Sequence, residues 1–192
     1  MKNLFLLVLF LGLVGCALPS ERDYVIPLTS NFGSASGVKI AHHRVLTAAH
    51  VAKFGVFLIN NKSIKILGID EVNDLAVIEA DVECPCVEIG KIPEVDDEVL
   101  IIGYPLSRVT NNIQISVSGK YQGMMKDKKL LFTGFGAPGV SGGGIFNRYG
   151  KLVSIASGIP ITIDTGWPAM VFNMPVGTNT QAMSDIVQAN LI

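Results

Sequence analysis

Chemistry in this chain concentrates in Gly136-Ala137-Pro138-Gly139-Val140-Ser141-Gly142-Gly143-Gly144, where one serine sits among glycines and a proline. Glycine lets successive backbone N–H groups converge and lets a ligand approach the main chain. A serine hydroxyl beside such donors is what acyl transfer requires: a nucleophile, and partners for the oxyanion that forms on attack. A flexible glycine-rich loop has the same composition, so the other residues must decide. A serine nucleophile needs a base, and the chain has 3 histidines, His42, His43 and His50, all ahead of Ser141. His50 closes Val45-Leu46-Thr47-Ala48-Ala49-His50, whose small residues let an imidazole lie against the backbone. A buried, hydrogen-bonded structural histidine would fit there as well.

Chain order narrows the mechanism. Gly139-Val140-Ser141-Gly142-Gly143 fits G-x-S-x-G, but the α/β-hydrolase order places the histidine after the serine, and none follows Ser141. The order Asp, His, Ser needs an aspartate before the histidine, and only Asp23 stands there, near the start of the chain. The order His, Asp, Ser remains, with Asp70, Asp74, Asp81, Asp96, Asp97 and Asp127 between His50 and Ser141. Asp74 opens Asp74-Leu75-Ala76-Val77-Ile78, the start of a buried strand, and a carboxylate at a strand mouth can hold an imidazole in one tautomer. An ordinary turn aspartate after Asn73 fits too. Asp70, followed by Glu71 and Val72, reads as loop.

Thr47-Ala48-Ala49-His50, Asp74-Leu75-Ala76-Val77 and Gly139-Val140-Ser141-Gly142-Gly143 together resemble the chymotrypsin-fold, trypsin-like serine proteases. Val99-Leu100-Ile101-Ile102-Gly103-Tyr104-Pro105 is similar to the strand opening the second barrel of HtrA-like bacterial members, and Val171 to Val176 to their last strand. The resemblance runs from about Asn31 to Ile192. It implies a serine endopeptidase acting on polypeptides without a cofactor or metal. In that family Ser141 would be nucleophile, His50 general base and later acid, and Asp74 the orienting carboxylate. The N–H groups of Gly139 and Ser141 would form the oxyanion hole, and Ser157 would support the aspartate. Leu152 to Gly158 would carry the strand that pairs with substrate. Phe135 would lie near the base of the primary specificity pocket, which implies a small or medium apolar residue before the cleaved bond. Val140 departs from the pattern, standing where an aspartate or asparagine is usual. Together with the lack of an Ile-Val-Gly-Gly start, it implies no zymogen cleavage of the trypsin kind. It also removes a polar group that could brace the oxyanion loop, so whether the hole is formed at rest becomes a structural question.

The N-terminus reads as a separate module. After Met1-Lys2-Asn3 comes an apolar run, Leu4 to Gly15, shorter than the about 20 residues a spanning helix takes but suited to a signal-peptide core of about 7–15. Leu13-Val14-Gly15-Cys16 resembles the lipobox of bacterial lipoproteins, in which the cysteine is acylated after cleavage. An ordinary secretory signal and an uncleaved anchor are the alternatives. More than one acyl chain gives stable membrane attachment. The lipobox resemblance therefore implies an exported chain, lipid-anchored through Cys16 and facing the periplasm. Ala17, in place of an aspartate, favours the outer membrane.

The net charge of −1 and the charged fraction of 16% offer no basic patch for nucleic acid. Besides Cys16 there are only Cys84 and Cys86, flanking Pro85, so no disulfide framework is expected. A Cys–Pro–Cys bridge and two free thiols both fit, while two sulfurs without nearby histidines make an incomplete metal set. Short apolar or alternating segments predict strands at 35–40, 44–46, 55–59, 63–69, 75–79 and 86–89, then at 98–103, 112–122, 129–133, 144–147, 152–157 and 169–174. Asn60-Asn61, Asp127-Lys128 and Tyr149-Gly150 mark turns between them. The expected fold is all-β: two six-stranded antiparallel barrels with a short C-terminal helix at about 180–188. The expected organisation is a lipoprotein signal at 1–15, a tether at 16–30, an N-terminal barrel at 31–90, a linker at 91–98 and a C-terminal barrel with the helix at 99–192. No PDZ-like extension is evident, and the oligomeric state stays open. A catalytically silent, peptide-binding relative is the alternative to the endopeptidase.

Overall fold

Two series of short apolar strands organise the chain, and each builds its own sheet. The computed structural model describes residues 19–30, 33–54, 58–158 and 176–191. The signal segment, Cys16 and the strand expected at 169–174 lie outside them. In the first half β1 (Val25–Thr29), β2 (Ser34–Ala41), β3 (Arg44–Thr47), β4 (Leu58–Ile59), β5 (Lys62–Ser63), β6 (Lys65–Asp70) and β7 (Leu75–Glu79) form a curled antiparallel sheet in the order β5-β4-β1-β2-β3-β7-β6. In the second, β8 (Glu98–Gly103), β9 (Ile115–Met124), β10 (Leu130–Phe132), β11 (Gly144–Asn147), β12 (Leu152–Gly158) and β13 (Val176–Gly177) close a barrel in the order β10-β13-β12-β11-β8-β9. The fold is the chymotrypsin-like double barrel that the sequence predicts. Its helices are α1 (Glu21–Tyr24), α2 (Ala49–Lys53), α3 (Ser107–Thr110) and α4 (Thr180–Ala189).

The first half departs in detail. Val25–Thr29, assigned to a tether, is β1, paired with β2 along its length and with β4 only at Thr29. Pro27 obscures it in the sequence, because proline cannot donate to a sheet ladder. Opposite Pro27 stands Ser36, whose N–H points instead to Ser141. Pro27 therefore turns its missing donor away from β2, to the side that β4 barely covers. The strand expected at 86–89 does not form, beyond a single bridge from Ile89 to Leu152. Cys84 and Cys86 are disulfide-bonded around Pro85, and the backbone beyond them divides its hydrogen bonds. Val87 N–H reaches Lys39 O, while Glu88 O and Gly90 N–H reach Leu152. The segment thus ties the halves together. The remaining short pair, β4–β5, turns at Asn60 and Asn61, with φ of 51° and 61°, the left-handed geometry a two-residue hairpin loop needs.

Strand periodicity explains the core. All of Leu75, Ala76, Val77 and Ile78 in β7 are fully buried. Alternate residues point to opposite faces, so Ala76 and Ile78 join Leu28, Val45 and Ile59 inside the first sheet. Leu75 and Val77 join Ile102, Phe146 and Leu152 of the second barrel, and Met183 and Val187 of α4, in the layer between the halves. A third cluster, with Ile101, Leu130, Phe132 and Ile145, fills the closed barrel. Each large side chain buried this way contributes roughly 1.5–3 kcal/mol relative to exposure. The interlayer therefore fixes the two halves against each other, which is the condition for a site between them.

Candidate active site

His50 lies on α2, one turn of helix that the strand-only reading of its segment missed. Ala48 and Ala49 are buried, and their small side chains let α2 sit close to β7. The first amides of a helix lack intrahelical partners, and here the N–H of His50 donates to Asp74 Oδ1 at 2.9 Å. The same carboxylate takes the ring, with Nδ1 2.8 Å from Oδ2 and 3.0 Å from Oδ1. A carboxylate only accepts, so Nδ1 carries a proton, and in the neutral ring that leaves Nε2 as the acceptor. Ser157 Oγ donates to Oδ2 from the second barrel. Asp74 thus caps the helix, orients the imidazole and joins the two halves.

Local sequence explains how Asp74 reaches this place. Its φ is 55°, a left-handed conformation that aspartate tolerates better than most residues. Asp70, the other candidate acid, holds the turn from below by accepting from Asn73 N at 3.0 Å and Asn73 Nδ2 at 2.7 Å. Burial pushes the Asp74 carboxyl up. The hydrogen bonds from the His50 ring, from Ser157 and from the His50 amide outweigh it and hold the carboxyl below the ordinary aspartate value.

A cavity of about 430 Å³ opens beside this pair, lined by His50, Asp74, Ser157 and Gly158, with Glu71, Asp127 and Lys129 among its other walls. Ser141, Gly139 and Phe135 do not line it. Phe135 packs instead against the core of the closed barrel. Among the described residues no hydrogen bond joins the Ser141 hydroxyl to the His50 ring. Ser141 is nonetheless tied to both halves. Its carbonyl accepts from Ser36 N of β2 at 2.8 Å, and the next amide, Gly142 N, donates to Ala156 O at 2.7 Å, one residue before Ser157. A Cβ on Gly142 would clash with Thr47 Oγ1, three residues before His50. Contacts between catalytic groups are often loose without substrate and tighten when it binds.

The serine loop is two successive tight turns. Val140 N donates to Ala137 O across Pro138-Gly139, and Gly143 N to Val140 O across Ser141-Gly142. Gly139 and Gly142, with φ of 97° and 83°, occupy the third position of each, where a type II turn requires positive φ. Nearly every backbone group here has a partner: Pro138 O takes Leu106 N, Gly139 O takes Ser36 Oγ, and Ser141 O takes Ser36 N. Of the N–H groups from Gly139 to Gly143, those of Gly139 and Ser141, the two assigned to the oxyanion hole by resemblance, are the ones with no partner among the described residues. Val140, 2% exposed, is a core residue of the closed barrel. Ser36, which holds this loop, and Thr47, which donates to the Ser36 carbonyl, were missed as site residues in the sequence. The only signal was polarity inside apolar strands, in Ala35-Ser36-Gly37-Val38 and Val45-Leu46-Thr47.

A closed antiparallel barrel and a curled partner sheet, with a His–Asp pair at their junction, define a chymotrypsin-like serine protease fold. The chain belongs to the trypsin-like peptidases: the family model for the trypsin-like peptidase domain matches residues 35–155, more than half its length. No curated protein matches it. Among solved structures it is similar to the serine endoprotease from Yersinia pestis, with 21% identity and a TM-score of 0.68 over 88% of this chain and 63% of that one. The HtrA-type protease AlgW, solved with a tripeptide, shows 19% identity and a TM-score of 0.69 over 89% and 63%. The inactive form of the M. tuberculosis Rv3671c protease shows 14% identity and a TM-score of 0.68 over 90% and 91%. The chain spans just under two thirds of the Yersinia and AlgW chains.

Proposed function

We propose that the chain is a serine endopeptidase working through His50, Asp74 and Ser141. The observation that carries this reading is the Asp74 carboxylate, which takes both the amide and the ring Nδ1 of His50 and is steadied by Ser157. An imidazole held this way has one free basic nitrogen. Nε2 takes the proton of Ser141 Oγ as that oxygen bonds to the scissile carbonyl carbon, and the carbonyl oxygen becomes an oxyanion facing the N–H groups of Gly139 and Ser141. As the carbonyl re-forms, the C–N bond breaks and Nε2 returns the proton to the leaving amine. Water then attacks the acyl ester by the same route, its proton going to Nε2, and Ser141 Oγ departs and recovers a proton. Asp74 stays ionised and stabilises the imidazolium that forms in each half-reaction.

The substrate is a polypeptide, extended along β12 near Ser157 and Gly158, with a small or medium apolar residue before the cleaved bond. The enzyme is exported and lipid-anchored through Cys16, facing the periplasm. A fluorophosphonate probe tests the chemistry: it should label the wild type and not Ser141→Ala. An unlabelled wild type would leave the family's fold serving as a peptide-binding module. Ser141→Ala and His50→Ala should each lower turnover by several orders of magnitude, and the double variant little further, because the triad acts as a unit. Metabolic labelling with an alkynyl fatty acid, abolished by Cys16→Ser, tests the anchor.

A further inference from the structure

Val140 leaves the serine loop without a polar brace of its own, yet its backbone is ordered peptide by peptide. The brace comes from the other half of the molecule. Ser36, fully buried in β2, faces β1 at Pro27, and β3 ends before reaching it, so no ladder uses its backbone groups. They turn to the loop instead. Its hydroxyl donates to Gly139 O at 2.7 Å and accepts from Tyr104 N at 2.9 Å, and its own N–H donates to Ser141 O at 2.8 Å. Its carbonyl accepts from Thr47 Oγ1 at 2.8 Å. One residue thus holds the carbonyls on both sides of Val140.

We infer that Ser36 is the positioning residue of the oxyanion hole, replacing from the first barrel the brace that position 140 lacks. The inference rests on the endopeptidase reading for its meaning, though its geometry stands alone. A trans peptide sets its C=O and N–H on opposite sides. Four consecutive peptides run from Pro138 to Gly142. The second and fourth are bonded at both ends: Gly139 O to Ser36 and Val140 N to Ala137, then Ser141 O to Ser36 and Gly142 N to Ala156. The first and third are bonded only through their carbonyls, to Leu106 N and Gly143 N, so their N–H groups, those of Gly139 and Ser141, face the other way. Buried amides are nearly always paired, so two vacant donors between clamped peptides mark a cradle kept for an anion. Without the Ser36 hydroxyl the Gly139–Val140 peptide is held only through Val140 N–H on Ala137 O. The two peptides that flank it, which carry the Gly139 and Ser141 N–H groups, then lose the fixed neighbour that sets their direction.

Kinetics on an activated ester, together with amide NMR, test this. In Ser36→Ala, kcat should fall about 100-fold, the scale of one lost oxyanion donor, with KM within about threefold, and the Gly139 and Ser141 amide resonances should both shift. Thr180→Val is the comparator: Thr180 Oγ1 also donates to a buried carbonyl, that of Val153, so the variant matches the loss of packing and hydrogen bonding while retaining kcat. Equal kcat losses in the two variants, or unmoved Gly139 and Ser141 resonances in Ser36→Ala, would overturn the inference. Should the wild type prove inert toward ester and fluorophosphonate, the endopeptidase reading fails, and the two resonances still decide whether Ser36 orders the loop.

Discussion

The two halves of the site are made rigid in opposite ways. On the first half, order comes from side chains: one carboxylate gathers a helix amide, an imidazole and a hydroxyl. On the second, order comes from the backbone: successive peptides of the Pro138–Gly142 loop are fixed by bonds to their carbonyls, and its one large side chain, Val140, is an apolar anchor in the core. Each half also borrows a serine from the other. Ser157 steadies Asp74, and Ser36 steadies the loop. The halves therefore cannot shift relative to one another without disturbing both. A proton relay tolerates little rotation of a side chain, whereas an anion cradle is set by which way peptides face. The sequence provides a charge for the first and glycines for the second.

The comparison breaks most visibly at Asp74. Asp74→Asn keeps the shape but presents an amide that can hold the wrong tautomer of His50, so kcat should fall by about 10⁴-fold while fluorescence-monitored unfolding stays cooperative. A loss under tenfold would mean that the imidazole is oriented by something else. Val140→Asp should break the second half through stability rather than chemistry. The new carboxylate would replace a side chain of the buried apolar cluster that includes Val99, Ile101 and Ile145. Burying an unpaired charge of this kind costs on the order of 3 kcal/mol or more, readable as a fall in urea midpoint at neutral pH. A variant as stable as the wild type, and faster, would show that the loop does need a polar brace at this position.

The same contrast explains what could be read from the chain. His50, Asp74 and the β7 run after it were legible because apolar runs and charged residues leave local marks; Leu75–Glu79, Glu98–Gly103 and Gly144–Asn147 form strands at their expected bounds. β1 was hidden because Pro27 is tolerated only where a neighbouring strand is short, a tertiary circumstance. Residues 86–89 looked like a strand from their side chains, but their backbone bonds are shared between β2 and β12. The helix at His50 was obscured by its length, since one turn leaves no periodicity. Ser36 showed only polarity inside an apolar strand and nothing of what it holds, because its partners lie 103 and 68 residues away, at Gly139 and Tyr104. Backbone clamps are written in contacts rather than in residue types.

Ser157→Ala gives a smaller and sharper test. It removes one of the donors to Asp74 and leaves the bonds from His50, so a charge-assisted hydrogen bond worth about 1.5 kcal/mol corresponds to roughly a tenfold fall in kcat/KM. The smallest effect lies in acid. Because the Asp74 carboxyl is held below the ordinary value of 3.8, the folded state favours its ionised form. That contribution to stability is complete above the unfolded value and is lost as pH falls through the folded one. The stability difference between the wild type and Asp74→Asn should therefore be level at neutral pH and shrink in acid, once pH has passed below 3.8. In Ser157→Ala, where one of the groups lowering the carboxyl is gone, the shrinkage should begin at the same pH, be smaller, and end at a higher pH. If the two profiles coincide, Ser157 contributes nothing to the charge on Asp74. The link between the halves would then run through packing and the Ser36 clamp alone.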